Sequence, residues 1–391
     1  MKKILFMLSS MNIGGVEKSL LSLLSNMDKE KYDITLLLLE KKGGFLPFVP
    51  DWVKVKEASW FTKVKPVILH SPHKTVREYI VRGSFQRIPG FVTIYFISKK
   101  FDDRYLYYKY VMKNIPPEST KYDLAIAYQG PTDLIDFYIS KKVQAEKKIS
   151  WIHFDVSKHE INKKLYEKLY SKFHELVVIS DEAKKQLVHQ IPSTQGKTRI
   201  VPNIINAELI EEMSKETITF DDKYNGLKII TVGRLSEEKG QDLAVRVLSK
   251  LRENGFNVRW YCIGEGRYRG KLEALIKEFG LEEDFILLGS KTNPYPYMAQ
   301  ADIYVQTSRH EGFCLTLAEA KCLAKPIITT NFIGAYEQIV DGENGYIVNL
   351  NEEEIYLRIK FLIEHDGKRV SLIKTLSKNR KKKEQPQFSF F

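Results

Sequence analysis

The sequence predicts an α/β protein made of two doubly wound parallel sheets, and three observations carry that prediction. Short apolar, β-branched runs alternate with stretches whose apolar residues recur at helical spacing, which is the pattern of parallel sheets covered by helices. The alternation starts afresh near Asn225-Gly226, just after a polar, acidic stretch from Asn206 to Asp222. The chain has 391 residues, more than one hydrophobic core holds, since single cores stop growing near ~250–300 residues. The expected domains are residues 1–206 and 207–391, with a hinge in the acidic stretch.

Taken in order, the first strand is Lys3–Leu8. Its apolar run, Ile4–Leu8, gives way to Ser9-Ser10. A secretory signal needs an apolar core of ~7–15 residues, so a buried strand is the expected reading. Further first-half strands are expected at Ile34–Leu39, Leu124–Tyr128, Ile149–His153, Leu176–Ile179 and Arg199–Val201. Helical spacing marks Val16–Asn26 and Asp181–His189. In the second half, strands are expected at Lys228–Val232, Val258–Ile263, Phe285–Leu288, Ile303–Gln306, Pro326–Thr329 and Tyr346–Val348, with helices over Gln241–Glu253 and Leu315–Cys322. The tail Ser377–Phe391, with Lys381-Lys382-Lys383 and Pro386, reads as poorly ordered.

The segment Trp60–Pro116 breaks the alternation. It sets many aromatic residues among eleven Lys or Arg and three acids. Three readings fit: core aromatics with solvated lysines, docking at an anionic membrane surface, or contact with single-stranded nucleic acid. The formal charge of +12 points to anionic partners without choosing among them. The three cysteines, Cys262, Cys314 and Cys322, have no zinc-like spacing. Their odd number fits a reducing cytosol rather than a disulfide framework. His70, His73, His174, His189, His310 and His365 show no metal-ligand spacing, and no metal centre is expected. No stretch approaches the ~20 apolar residues of a membrane-spanning helix.

Four stretches carry candidate chemistry. Ser9 to Glu17 links strand to helix through Gly14-Gly15, where the backbone can approach a ligand and the helix start offers amides to an anion. In Val232-Gly233-Arg234-Leu235-Ser236-Glu237-Glu238-Lys239-Gly240, two cations follow a strand. Arg234 would supply a fork of donors and Lys239 a point charge, which suits a diphosphate; solvated surface charge is the other reading. In His310 through Ala320, Glu311 precedes a helix start and Glu319 lies one to two turns inside it. The amides of Gly312, Phe313, Cys314, Leu315 and Thr316 can hold phosphate oxygens, and the carboxylates can accept from sugar hydroxyls or serve as caps. Finally, His153 ends the strand in Ser150-Trp151-Ile152-His153-Phe154-Asp155. His159, Asp155 and Asp181 are weaker candidates.

The run Val232-Gly233-Arg234-Leu235 with Lys239-Gly240, then Ile263-Gly264-Glu265-Gly266, Leu288-Gly289, and Glu311-Gly312-Phe313 through Glu319-Ala320 resembles the signature of glycosyltransferase family 4. The last of these matches that family's Glu-x7-Glu motif. Gly14-Gly15, Trp151-Ile152-His153 and Val201-Pro202-Asn203 agree more loosely. The resemblance implies a GT-B fold, two Rossmann-like domains facing a central cleft, with the donor held mainly by the C-terminal half.

It also implies retaining, metal-independent transfer of a hexose-type sugar from a nucleoside diphosphate sugar, most often a uridine one. Arg234 and Lys239 would hold the diphosphate, Glu311 the donor sugar's hydroxyls and Glu319 the ribose. The amides of Gly312 to Thr316 would meet sugar and phosphate, Gly14-Gly15 the diphosphate, and His153 the reacting sugar. The expected acceptor is a saccharide or lipid-linked saccharide in polysaccharide or glycoconjugate assembly. The expected location is the cytoplasm, at the inner membrane face, with peripheral contact to anionic lipid and no nucleic acid. Two alternatives stay open: a sugar-nucleotide epimerase of the same fold, and a catalytically dead membrane-surface protein.

Overall fold

The computed structural model describes residues 1–380 except 154, 155, 157–160, 219 and 221–223. The candidates Asp155 and His159 and the lysine run at 381–383 lie outside the described residues. The chain divides into two compact units, Met1–Pro202 and the residues from Asn203 onward. The sequence reading puts the division at 206/207. The acidic stretch expected to be a hinge is helical over Ala207–Ser214. Its Ile210 is buried with Phe220, Tyr261 and Tyr297 in the second unit, because an amphipathic turn has an apolar face to cover.

The first unit holds strands β1 (Lys2–Leu8), β2 (Tyr32–Leu38), β3 (Lys54–Glu57), β4 (Lys121–Gly130), β5 (Gln144–Ile152), β6 (Glu175–Val178) and β7 (Thr198–Ile200). They form one sheet in the order β3-β2-β1-β4-β5-β6-β7, every pairing parallel. Ile4 to Leu8 of β1 are wholly buried, as expected of a strand covered on both faces.

The second unit holds β8 (Leu227–Val232), β9 (Val258–Ile263), β10 (Phe285–Gly289), β11 (Ile303–Gln306), β12 (Ile327–Thr330) and β13 (Tyr346–Val348). Their order is β10-β9-β8-β11-β12-β13, again all parallel. Chain order runs outward in one direction from β8 and in the other from β11. The edge between these two strands is therefore a topological switch point, where the loops at the carboxyl ends diverge and leave room for a ligand.

Two stretches take helical form. The Trp60–Pro116 segment fills the crossover from β3 to β4 with helices over Phe61–Leu69, Pro72–Val81, Ile88–Lys100 and Arg104–Val111. A helix runs Asp366–Arg380 and takes in the first four residues of the tail, with Leu372 and Leu376 buried and Leu372 packed in the core of the second unit; the rest of the tail lies outside the described residues. Among the described residues no helix is long and apolar enough to cross a membrane.

Candidate functional site

Three loops of the second unit are laced together at the carboxyl ends of their strands. The amide of Gly233, just past β8, donates to the carbonyl of Ile263 at 2.9 Å, and that of Leu235 to Glu265 at 3.0 Å. Gly264 has φ +152°, and a Cβ there would fall 1.9 Å from the Gly233 oxygen, so only glycine allows this approach. On the other side Gly240, with φ +66°, leaves no room either: its Cβ would fall 2.1 Å from the Thr307 carbonyl. These contacts fix the loop after β8 against the loop after β11.

That lacing brings Lys239 to Glu311. The Lys239 ammonium donates to Glu311 Oε1, and the two side chains are only 21% and 11% exposed. A hydrogen-bonded relay runs up from β11 to the same oxygen. Tyr304 donates its hydroxyl proton to Gln306 Oε1 at 2.5 Å. Gln306 Nε2 donates to Ser308 Oγ at 2.8 Å, and Ser308 Oγ to Glu311 Oε1 at 2.9 Å. Tyr304, Gln306 and Ser308 are buried, so the relay fixes the carboxylate through side chains that have no room to move. Arg234 lies on the same loop as Lys239 and is exposed. Among the described residues no ion pair holds it.

The helix Leu315–Cys322 begins four residues after Glu311, and no side chain caps its N-terminus. Its first amides and its dipole are thus open to an anion. Cys314, the residue before it, has φ +56°, a left-handed conformation that costs roughly 1–2 kcal/mol in a residue with a Cβ. Burial, with the Glu311 charge adding to it, pushes the Cys314 thiol well up, so it is a neutral packing group. Glu319 is 1% exposed, and the Tyr295 hydroxyl donates to its Oε1 at 3.3 Å. Gln338 Nε2 donates to the Phe313 carbonyl and pins the loop from behind.

In the first unit, Gly14 precedes the helix Gly15–Ser25, again with no side-chain cap. The Glu17 carboxylate folds back so far that a Cβ on Gly14 would fall 2.5 Å from its Oε2. His153 follows β5. Its amide donates to the Gly130 carbonyl at 3.0 Å, and its ring lies 4.7 Å from that of Tyr128 and parallel to that of Trp151. Burial pushes the imidazole down to about 3, so the ring is neutral across the physiological range. Its Nε2 has no hydrogen-bond partner among the described residues. Asp181 opens the helix Asp181–Gln190, where Ser180 is the cap, a structural place.

Of the residues singled out in the sequence, the structure brings Arg234, Lys239, Glu311, the 312–316 amides and Glu319 to one edge of the second unit. Gly14, Gly15 and His153 stand at strand ends of the first. Sequence reasoning missed Tyr304, Gln306, Ser308 and Tyr295. The signal available was a polar run, Gln306-Thr307-Ser308, leaving an apolar strand.

Residues 214–380 match the family model described as glycosyl transferases group 1. A Campylobacter jejuni protein, N-acetylgalactosamine-N,N'-diacetylbacillosaminyl-diphospho-undecaprenol 4-alpha-N-acetylgalactosaminyltransferase, is 33% identical over 208 residues, 53% of this chain and 55% of its own. The capsular polysaccharide biosynthesis glycosyltransferase CapM of Staphylococcus aureus is 24% identical over 223 residues, 55% of this chain and 58% of its own. The chain thus spans about half the length of these curated relatives. Among solved structures, Anabaena HepE in complex with UDP and glucose superposes with a TM-score of 0.70 at 17% identity, over 97% of this chain and 95% of that one. WaaG, a glycosyltransferase involved in lipopolysaccharide biosynthesis, superposes with 0.61 at 15% identity, over 98% and 96%. These likenesses show the fold, which is GT-B.

Proposed function

Taking the match of residues 214–380 to the model described as glycosyl transferases group 1 as the premise, we propose that the protein is a retaining glycosyltransferase. It moves a hexose-type sugar from a nucleoside diphosphate sugar, with uridine as the base, to a saccharide or lipid-linked acceptor. The observation that carries this reading is the convergence of Arg234, Lys239, Glu311 and an uncapped helix N-terminus at the β8/β11 switch point.

The chemistry follows from those groups. Breaking the bond between the sugar's anomeric carbon and the diphosphate oxygen leaves negative charge on the diphosphate and positive character on the ring. Lys239 and the 313–316 amides are fixed donors for the first, and the exposed Arg234 can add its fork of donors. Such donors need no metal ion, and the transfer is proposed as metal-independent. Both described bonds to Glu311 fall on Oε1, which leaves Oε2 to accept from sugar hydroxyls. Glu319 takes the ribose. The diphosphate itself takes the acceptor's proton on the face it leaves, which gives retention without a protein nucleophile. In the first unit, Gly14-Gly15 is assigned to the diphosphate and the neutral His153 to a hydrogen bond with the sugar.

The Campylobacter relative is named for a diphospho-undecaprenol acceptor, and this supports a lipid-linked acceptor and peripheral work at the cytoplasmic membrane face. The donor assignment is tested by thermal stabilisation with a panel of nucleoside diphosphates and their sugars, with Arg234→Ala alongside. A selective rise in Tm with a uridine donor, lost in the variant, is expected. No shift with any donor overturns the reading.

A further inference from the structure

A second ion pair joins the loop after β8 to the loop after β11. Arg309, two residues before Glu311, reaches Asp242, three residues after Lys239. Its Nη1 donates to Asp242 Oδ1 at 2.8 Å and its Nη2 to Oδ2 at 2.6 Å. Nη1 also donates to the Glu237 carbonyl at 2.7 Å. The Arg309 and Asp242 side chains are 32% and 18% exposed, so water screens the attraction in part, while two parallel bonds fix direction and spacing.

The two ion pairs are reciprocal. The first loop gives a cation at Lys239 and an acid at Asp242; the second gives a cation at Arg309 and an acid at Glu311. The backbones join between them. The Arg309 amide donates to the Glu238 carbonyl at 2.8 Å, and Thr307 Oγ1 donates to the Lys239 carbonyl at 3.2 Å. Gln241, wholly buried, donates from Nε2 to the Arg234 carbonyl at 2.9 Å. The helix start that carries Asp242 thus also holds the Arg234 end of its own loop. The transfer chemistry gives neither Arg309 nor Asp242 a part.

We propose that Arg309 and Asp242 are positioning residues: their ion pair is a clamp that keeps the two loops in register while a nucleoside diphosphate sugar engages Lys239 and Glu311. The proposal rests on the functional reading for the identity of the donor. In that reading the diphosphate draws on the same Lys239 ammonium that meets Glu311. The Lys239–Glu311 pair therefore loosens at the moment when its two members must stay a fixed distance apart. A lysine is a point charge on a flexible stem and can turn from a carboxylate to a phosphate, whereas an arginine fork already matched to a carboxylate gives up two bonds to do so. The flexible pair faces the ligand and the forked pair holds the frame. Without donor the two pairs support each other, and loss of either alone is mild. With donor bound, the clamp carries the joint.

Four proteins are compared by thermal melting without ligand: wild type, Asp242→Asn/Arg309→Gln, Glu311→Gln, and the three changes combined. Neutralising both members of the clamp leaves no orphaned charge, and circular dichroism checks the fold. Each of the first two variants should lower Tm by about 4 °C or less. The combination should lower it by at least about 4 °C more than their sum, because residues that share one joint do not add. Additive losses overturn the proposal. With a uridine donor that stabilises the wild type, Asp242→Asn/Arg309→Gln should bind about tenfold more weakly. Arg309→Lys, which keeps the charge and loses the fork, should fall between the two. A tenfold loss beside a small drop in Tm separates positioning from general destabilisation, and wild-type donor affinity in Asp242→Asn/Arg309→Gln overturns the proposal. A wild type that no donor stabilises counts against the functional reading alone, and the ligand-free melting cycle still decides the clamp.

Discussion

Replacing Glu311 separates chemistry from architecture. Glu311→Ala removes the acceptor of two hydrogen bonds, from Lys239 and Ser308. The ammonium then keeps its charge with its side chain only 21% exposed. Orphaning one member of a fully buried ion pair costs ~3–5 kcal/mol. Partial exposure of both partners reduces this to about 2 kcal/mol, or ~4–8 °C in Tm for a unit of this size. Transfer should suffer more: a hundredfold or greater fall in turnover, about 2.7 kcal/mol of barrier, because the carboxylate orders the sugar whose bond breaks. Glu311→Gln divides the two effects. Its amide oxygen still accepts from Ser308, so most of the stability returns, while the carboxylate charge beside the sugar does not. The assay is nucleoside diphosphate release under saturating donor, paired with melting curves for all three proteins. Wild-type turnover in Glu311→Ala would remove the assigned role. Turnover that returns in step with stability in Glu311→Gln would show that Glu311 is only a strut.

Two further expectations concern stability. Because Cys314 holds φ +56°, Cys314→Gly should melt higher than Cys314→Ala by about 1 kcal/mol, the reverse of their helix preferences; a more stable alanine variant would show that the strain is absent. Asp136 is fully buried and is bonded by the Ser150 hydroxyl at 2.6 Å and the Thr132 amide at 2.9 Å. Burial pushes its carboxyl up to about 7 against those two bonds. The folded state therefore holds a proton that the unfolded state gives up near pH 4. Stability from this group is full below pH 4, falls as pH rises towards 7, and is level above that, a change on the order of a few kcal/mol. Denaturant midpoints across that range should show the slope, and Asp136→Asn should flatten it.

Much of the fold is legible because buried parallel strands are short apolar blocks, and Ile4–Leu8 or Ile303–Gln306 can hardly be read otherwise. β3 is not legible: Lys-Val-Lys-Glu is an edge strand with one apolar residue, and only its pairing to β2 makes it a strand. The crossover helices are obscured because Ile88–Lys100 is apolar on the core side and on the outer side alike, which erases the period that marks a helix. At the site, Arg234, Lys239, Glu311 and Glu319 stand out as charges next to strand ends and glycines. Tyr304, Gln306 and Ser308 do not, because their role comes from a chain of contacts along β11 that sequence order leaves unexpressed. Tyr295 meets Glu319 across 24 residues, a pairing set by the fold alone.

The edge strand that was hardest to read has a use of its own. β3 closes one side of the first sheet with Lys54, Lys56 and Glu57 exposed and Lys54 paired to Asp33 at 2.8 Å. Another chain trying to extend the sheet there would have to bring its own backbone past the hydrated charges of Lys54, Lys56 and Glu57. Charge on the edge opposes growth of the sheet, and crowded copies of this protein should stay apart where bare strand edges would zip into aggregates.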